Sequence, residues 1–250
     1  MISKKSQNLS KIKARYSPLP HLSPYISGNR YHLLKEDHKY YIRKLQSLVD
    51  TKQRFRVADV GCGNEEMIYA LKRAFPQWDF TGYDKTREFI ETAKAFEGLK
   101  GVRMIQSDLF DIEETFQIVL CSSVIQIFQE IEPPLLKLLS LCKKEGFLLI
   151  DGLFNKFDIE VRLQFCDNTN PISKGLWRAD WNQHSQASIR RLLENKVEWL
   201  EFEEVPMDLD IPLNTEMPIN RFTFRNQNGK NITTNGTNLM MDRILMTVKK

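Results

Sequence analysis

The stretch VADVGCGNEE, residues 57–66, places Gly61 and Gly63 between an apolar run and a helix-forming segment. Glycines at such a junction let the backbone pass close to a ligand. A dinucleotide loop would read GxGxxG and seat its pyrophosphate on the helix N-terminus. Here the third glycine is missing, and Glu65 and Glu66 would stand beside the phosphates. Like charges disfavour a phosphate ligand. Asp59 and its neighbouring acids suit a cofactor with a cationic amino-acid end instead. Further acids close later apolar runs, at Asp84, Asp108 and Asp151. His184 lies just before a helix-capping serine, Ser185, and histidine is the residue type whose ordinary pKa suits a neutral-pH base.

These groups need a frame. Apolar positions Leu34, His38, Tyr41, Ile42, Leu45, Leu48 and Val49 recur three and four apart, which predicts an amphipathic helix over 31–49. Short apolar runs at 56–60, 79–84, 102–108, 116–123 and 146–152 read as strands. Helical patterns at 65–75, 86–96 and 133–143 alternate with them, with Thr86 as an N-cap. Such alternation predicts an α/β fold with a mostly parallel sheet and helices on both faces. Ligands in these sheets sit at the carboxyl ends of the strands, where the strand order reverses. A helix from Ser185 and two more strands, 197–206 and 242–250, complete a seven-stranded sheet with antiparallel pairing at its edge. The long aromatic and polar segment 156–184 suits a lid. NQNG and TTNG signal an extra hairpin within 207–241.

Composition sets outer bounds. With 42% hydrophobic and 27% charged residues in 250, the chain has an ordinary globular profile, one domain over 30–250. No apolar run reaches the length of a membrane span. The basic start has no apolar stretch behind it, so a secretory signal is not expected. Cys62, Cys121, Cys142 and Cys166 show no CxxC spacing and read as free thiols in a reducing cytoplasm. Residues 1–56 hold 13 Lys+Arg against 3 Asp+Glu, while the rest hold 23 against 29. The basic arm, 1–29, is a solvated tail or meets a phosphate-bearing partner. A homodimer is one option for the oligomeric state.

The glycine loop and the later strand ends together resemble the class I S-adenosylmethionine-dependent methyltransferases, with a Rossmann-like fold. The resemblance covers 30–152 well and 185–250 more loosely. It implies S-adenosylmethionine as cofactor, held by Asp59, Gly61, Cys62 and Gly63. Asp84 would take the ribose hydroxyls, with Lys85 beside it. Asp108 would meet the adenine amino group, with Ser107 and Leu109 around the ring. Cys121, Ser122 and Ser123 would line the methionine end. Glu65 stands where the family has a further glycine; an acid in the first turn of a helix is favoured by its dipole.

The acceptor is less legible. Methyl transfer to an alcohol wants a base or a metal, whereas an amine can manage without one. The Asn/Asp-Pro-Pro-aromatic box of the base-amine enzymes is absent: CSSVIQ stands there, and Pro133 and Pro134 start a helix. Nucleic acid is therefore a disfavoured acceptor. The stretch 207–246 is loosely similar to methyltransferases of sugar and natural-product pathways. It favours a hydroxyl of a small molecule such as a nucleotide-linked sugar. His184 and Asp151 are then the expected catalytic residues, with Arg30, Tyr31, His32, Trp177 and Trp181 towards the substrate. A divalent ion at Asp151 is allowed, although no strong ligand cluster is visible. An RNA or protein methyltransferase, or a non-catalytic cofactor-binding partner subunit, remain as alternatives.

Overall fold

The computed structural model describes Tyr31 and residues 34–169, 174–206, 209–216 and 218–250. Arg30, His32 and the basic arm lie outside the described residues. Among the described residues five helices, α1 (Glu36–Leu48), α2 (Glu66–Ala74), α3 (Arg87–Ala95), α4 (Glu132–Leu141) and α5 (Gln186–Leu193), surround the main sheet. Its strands are β1 (Arg56–Val60), β2 (Asp79–Asp84), β3 (Arg103–Gln106), β4 (Phe116–Ser122), β5 (Cys142–Gly152), β6 (Trp199–Glu204) and β7 (Ile244–Lys249). Their order is β3-β2-β1-β4-β5-β7-β6. The first five run parallel, and β7 is antiparallel to both β5 and β6.

Strand periodicity explains why helices cover both faces. Val57, Ile118, Leu120, Leu149 and Leu245 point to one face, where Tyr41 and Leu45 of α1, Leu71 of α2 and Ile90 of α3 pack on them. Their neighbours Ala58, Val119, Leu148, Ile150 and Met246 point to the other, against Leu138 of α4 and Ile189 of α5. Side chains of this size each contribute about 1.5–3 kcal/mol when fully buried. The order reverses between β1 and β4. Their carboxyl ends therefore splay the chain to opposite sides and open a crevice.

Local chemistry sets most element ends. Ser185 Oγ accepts from the Ser188 N–H at 3.1 Å and caps α5, and Pro133 and Pro134 occupy the first turn of α4. Thr86 holds the N-cap position of α3 but makes no side-chain cap bond. The Thr86 N–H donates instead to Asp84 Oδ1, at 2.8 Å. The strand β3 stops at Gln106, so Asp108 lies beyond it and opens a 3₁₀ turn over Leu109–Asp111. The strand β5 starts earlier than its apolar run, at Cys142, because Phe116 pairs with Cys142 across a register irregularity in β4.

The segment between β5 and α5 is strapped down by short ladders. Phe154–Asn155 pairs in parallel with His184–Ser185, and Gln164–Phe165 pairs antiparallel with Arg178–Ala179. Asn182, fully buried, fixes this segment to the loop after β4. Its Nδ2 donates to the carbonyls of Gln126 (2.9 Å) and Phe128 (3.2 Å), and its Oδ1 accepts from the Leu163 N–H at 3.0 Å. Asn182→Ala strands these buried backbone groups. It is expected to lower unfolding stability by about 1–3 kcal/mol and to speed proteolytic nicking within 156–184. Unchanged urea midpoint and nicking rate would remove the strap role.

The extra hairpin joins Phe222–Arg225 to Asn231–Thr234. Asn226 Oδ1 accepts from the N–H groups of Asn228 and Lys230, which closes the NQNG turn, and Gly229 supplies its positive φ of 75°. Among the described residues no helix is long and apolar enough to cross a membrane.

Candidate active site

The glycine loop is clamped to the end of β2. The Gly61 and Cys62 N–H groups both donate to the Tyr83 carbonyl, at 2.7 and 3.1 Å, and the Gly63 N–H donates to Asp84 Oδ2 at 3.0 Å. Gly61 and Gly63 have φ of 77° and 57°, the left-handed region that favours glycine. A Cβ at position 61 would also collide with the Val124 side chain, whereas position 63 is open.

Glu65 takes the same left-handed conformation, with φ of 67°, immediately before α2. This corrects the expectation of an acid in the first helical turn facing the dipole. Its side chain is fully buried and lies over Gly82, where any Cβ would collide with the carboxyl. Burial, and then the nearby Asp59, push the Glu65 carboxyl well above the ordinary range. Asp59, at the end of β1, is pushed up to about 7 by burial, then by Asp151 and Asp84. The Cys62 thiol is raised by burial and by Glu65.

A cavity of about 350 Å³ opens at the carboxyl ends of the parallel strands. One wall carries Gly61, Gly63, Asp84, Lys85, Asp108 and Leu109, with Ser107 beside them. Ser122 and Ser123, at the end of β4, lie between the walls. The other wall carries Gln126, Phe128, Arg178, Asp180, Trp181 and Arg221. Burial first raises Asp180 to about 6, opposed by the Trp181 N–H and by Arg178 and Arg221. A second depression, of about 390 Å³, lies at the amino ends of β1 to β3. Its Arg56 and Arg103 are both paired to Glu114, at 2.9 and 2.6 Å, and its Lys72 donates to the Gly98 and Lys100 carbonyls.

The first wall fits S-adenosylmethionine. Two carboxylates stand at the ends of adjacent strands. The loop before them has open space at Gly63, and Asp59 beneath it has a buried Oδ1 without a hydrogen-bond partner. Comparison with known proteins agrees. The methyltransferase domain family matches residues 51–197, more than half of the chain. The chain belongs to that family. It is a class I methyltransferase whose cofactor is S-adenosylmethionine.

Similarity to individual proteins is more partial. Trans-aconitate 2-methyltransferase of Deinococcus radiodurans is 28% identical over 98 residues, 39% of this chain and 38% of that protein. Ubiquinone biosynthesis O-methyltransferase of Rickettsia canadensis is 27% identical over 119 residues, 46% and 50% of the two chains. The matched stretch thus spans half or less of these curated relatives. Among solved structures, magnesium protoporphyrin IX methyltransferase from Synechocystis with bound cofactor superposes with a TM-score of 0.52. It is 16% identical, covering 99% of this chain and 92% of that one. The plantazolicin methyltransferase BpumL gives 0.55 at 14% identity, covering 98% and 91%. These likenesses carry the fold.

Within this methyltransferase several expected site residues fall elsewhere. His184 is 1% exposed, outside the cavity lining, with its Nδ1 3.2 Å from Glu160 Oε2 and its N–H on the Leu153 carbonyl. Burial lowers its pKa. It is a packed structural histidine rather than a base. Asp151, also 1% exposed, is saturated: Tyr41 donates to Oδ1 at 2.8 Å, while Arg243 and Ser123 donate to Oδ2 at 2.6 and 3.2 Å. It too lies outside the lining, which corrects its catalytic assignment. Cys62 and Cys121 are buried behind the wall, and Trp177 is 70% exposed outside the cavity. Tyr31 packs against the back of the loop, donating to the Asn64 carbonyl at 2.6 Å and stacking on Phe96 at 3.8 Å. Trp181 does line the cavity. Among the described residues no group of three or more His, Cys, Asp or Glu is placed to hold a metal. Arg178 and Arg221 had no sequence signal, because nothing in their local pattern marks a cavity wall.

Proposed function

We propose that this chain transfers a methyl group to an oxygen of a small molecule, with Asp180 as the base. One observation carries the reading: a single cavity joins the cofactor wall of Asp84 and Asp108 to a wall holding a carboxyl raised to about 6. A hydroxyl must lose its proton as the new bond forms, and a carboxylate poised near neutral pH can take it. S-adenosylmethionine, held by the glycine loop, Asp84 and Asp108, would supply an electrophilic methyl to the acceptor oxygen, with the electron pair of the C–S bond leaving on sulfur. The Asp180 carboxylate takes the hydroxyl proton. Its raised pKa makes it a stronger base than an ordinary carboxylate while leaving most of it ionised at pH 7. Ser122 and Ser123 line the same cavity. The O-methyltransferase name of the ubiquinone-pathway relative supports oxygen as the acceptor atom. A nucleotide-linked sugar is one hydroxyl compound of the proposed kind.

Cofactor consumption across sugar nucleotides, hydroxy acids, amines and RNA, with and without a chelator, tests the class. Turnover confined to amines or RNA would overturn it. With a working acceptor, Asp180→Asn should lower kcat by about 10²–10⁴-fold while cofactor binding persists. In the unsubstituted enzyme kcat should fall as pH drops through about 6, and the variant should lose that limb. An unchanged limb would assign the base elsewhere.

A further inference from the structure

We propose that Arg178 and Arg221 form an anion-binding subsite, and that the acceptor therefore carries a carboxylate or phosphate group. The inference rests on the cavity being the methyl-transfer site. Both arginines line the cavity, and the charge of each acts on Asp180. They come from separate parts of the chain: Arg178 from the short ladder with Phe165, Arg221 from the residue before the Phe222–Arg225 strand. Phe165 holds the Arg178 guanidinium over its ring at 4.6 Å, so the fork is oriented before any ligand arrives.

Hydrogen bonding on this wall points the same way. Arg178 Nε and Trp181 Nε1 are buried donors without a partner. Buried donors left unmade are costly, and an acceptor-rich ligand relieves that cost. Trp181 is held at a φ of 59°, a strained conformation for a bulky residue that marks this wall as shaped for contact. Charge agrees as well. Arg54, Arg103 and Arg191 are each paired to a carboxylate within 3 Å, but Arg178 has no such ion pair among the described residues. Guanidinium forks bind planar carboxylates and phosphates through paired hydrogen bonds. An anion held there would leave a neighbouring hydroxyl of the same molecule beside Asp180.

The test uses the full chain saturated with S-adenosylhomocysteine, titrated at constant ionic strength with inorganic phosphate and, separately, with citrate. Tryptophan fluorescence reports binding, because Trp181 lies on the wall. Saturable binding of either anion is expected, and whichever binds tighter identifies the phosphate or the carboxylate class. Arg178→Gln and Arg221→Gln should each weaken it by about ten- to a hundredfold, with Arg178→Lys intermediate because it keeps charge but loses the fork. Circular dichroism and the affinity for S-adenosylhomocysteine should stay unchanged in all three. Absence of saturable binding, or equal binding by the folded variants, would overturn the subsite. Failure to bind S-adenosylhomocysteine would instead overturn the cofactor wall, and anion binding to the arginines would still be measurable without it.

Discussion

Arg243→Ala is expected to destabilise the folded chain by about 3–5 kcal/mol, the cost of breaking a buried ion pair from one side. Arg243 is 8% exposed near the start of the last strand. Its Nε donates to Asp151 Oδ2 at 2.6 Å, and its Nη1 donates to Asp37 Oδ2 at 3.0 Å on α1. Its Nη2 reaches Ser122 Oγ and Ser123 Oγ, both at 3.3 Å. Burial works against the charge, but Asp151 and Asp37 outweigh it and hold the guanidinium protonated more firmly than usual. Removing the side chain leaves Asp151 buried with Tyr41 and Ser123 as its partners. Asp151→Asn in the Arg243→Ala background should recover part of the loss, since it removes the stranded charge. Denaturant unfolding of the four proteins in that cycle reads the coupling. A loss below about 1 kcal/mol for Arg243→Ala would place the pair in the range of surface ion pairs and defeat the argument. A second consequence concerns the site. The same guanidinium ties α1 to the serines between the cavity walls, so the variant should also bind cofactor less tightly at temperatures where it stays folded.

This cluster shows where sequence reading stops. Strands β1 and β2 were legible to the residue, because each is a short apolar run that ends at a glycine or an acid. The positions of the glycine loop after β1 and of Asp84 at the end of β2 were legible because both lie in the local pattern of the chain. Asp151 also ends a strand, and position alone made it look catalytic. Its partner Arg243 is 92 residues away, and Asp37 is 206 residues from that arginine. No local pattern announces such a contact. His184 misled for the same reason: its type suggests a base, but its burial beside Glu160 is a property of the folded ladder. Glu65 is a subtler case. The missing glycine was visible, but the packing of the Glu65 side chain over Gly82 of β2 was not. The charged run Lys143–Glu145 hid the first half of β5, since its residues are exposed and lack strand alternation.

The second large effect is expected at Asp59, where one substitution should strengthen the fold and weaken the site. Asp59 is 2% exposed, its carboxyl is pushed up to about 7 by burial and then by Asp151 and Asp84, and Oδ1 has no hydrogen-bond partner. The folded chain therefore favours the protonated form, whereas the unfolded chain releases that proton near its ordinary pKa of about 4. Below pH 4 both states hold the proton and the group is neutral in effect. Between pH 4 and 7 the unfolded state is progressively favoured, and above 7 the penalty levels off at roughly 4 kcal/mol. Asp59→Asn removes this titration. The variant should match the unsubstituted protein near pH 4 and exceed its thermal midpoint at pH 8. Cofactor binding should move the other way. A ligand that presents an ammonium group to the loop favours the ionised carboxylate, so affinity for S-adenosylmethionine should climb with pH up to about 7. Asp59→Asn should flatten that climb and lose about ten- to a hundredfold in affinity at pH 8. Calorimetric titration and thermal unfolding at pH 5 and 8 measure both. A variant that gains stability equally at both pH values would show that packing, rather than the charge, governs this position. A variant that keeps its affinity would place the cationic end of the cofactor away from Asp59. The opposed signs are the informative part: together they would tie a carboxyl kept buried at a cost to the fold to a ligand that ionises it.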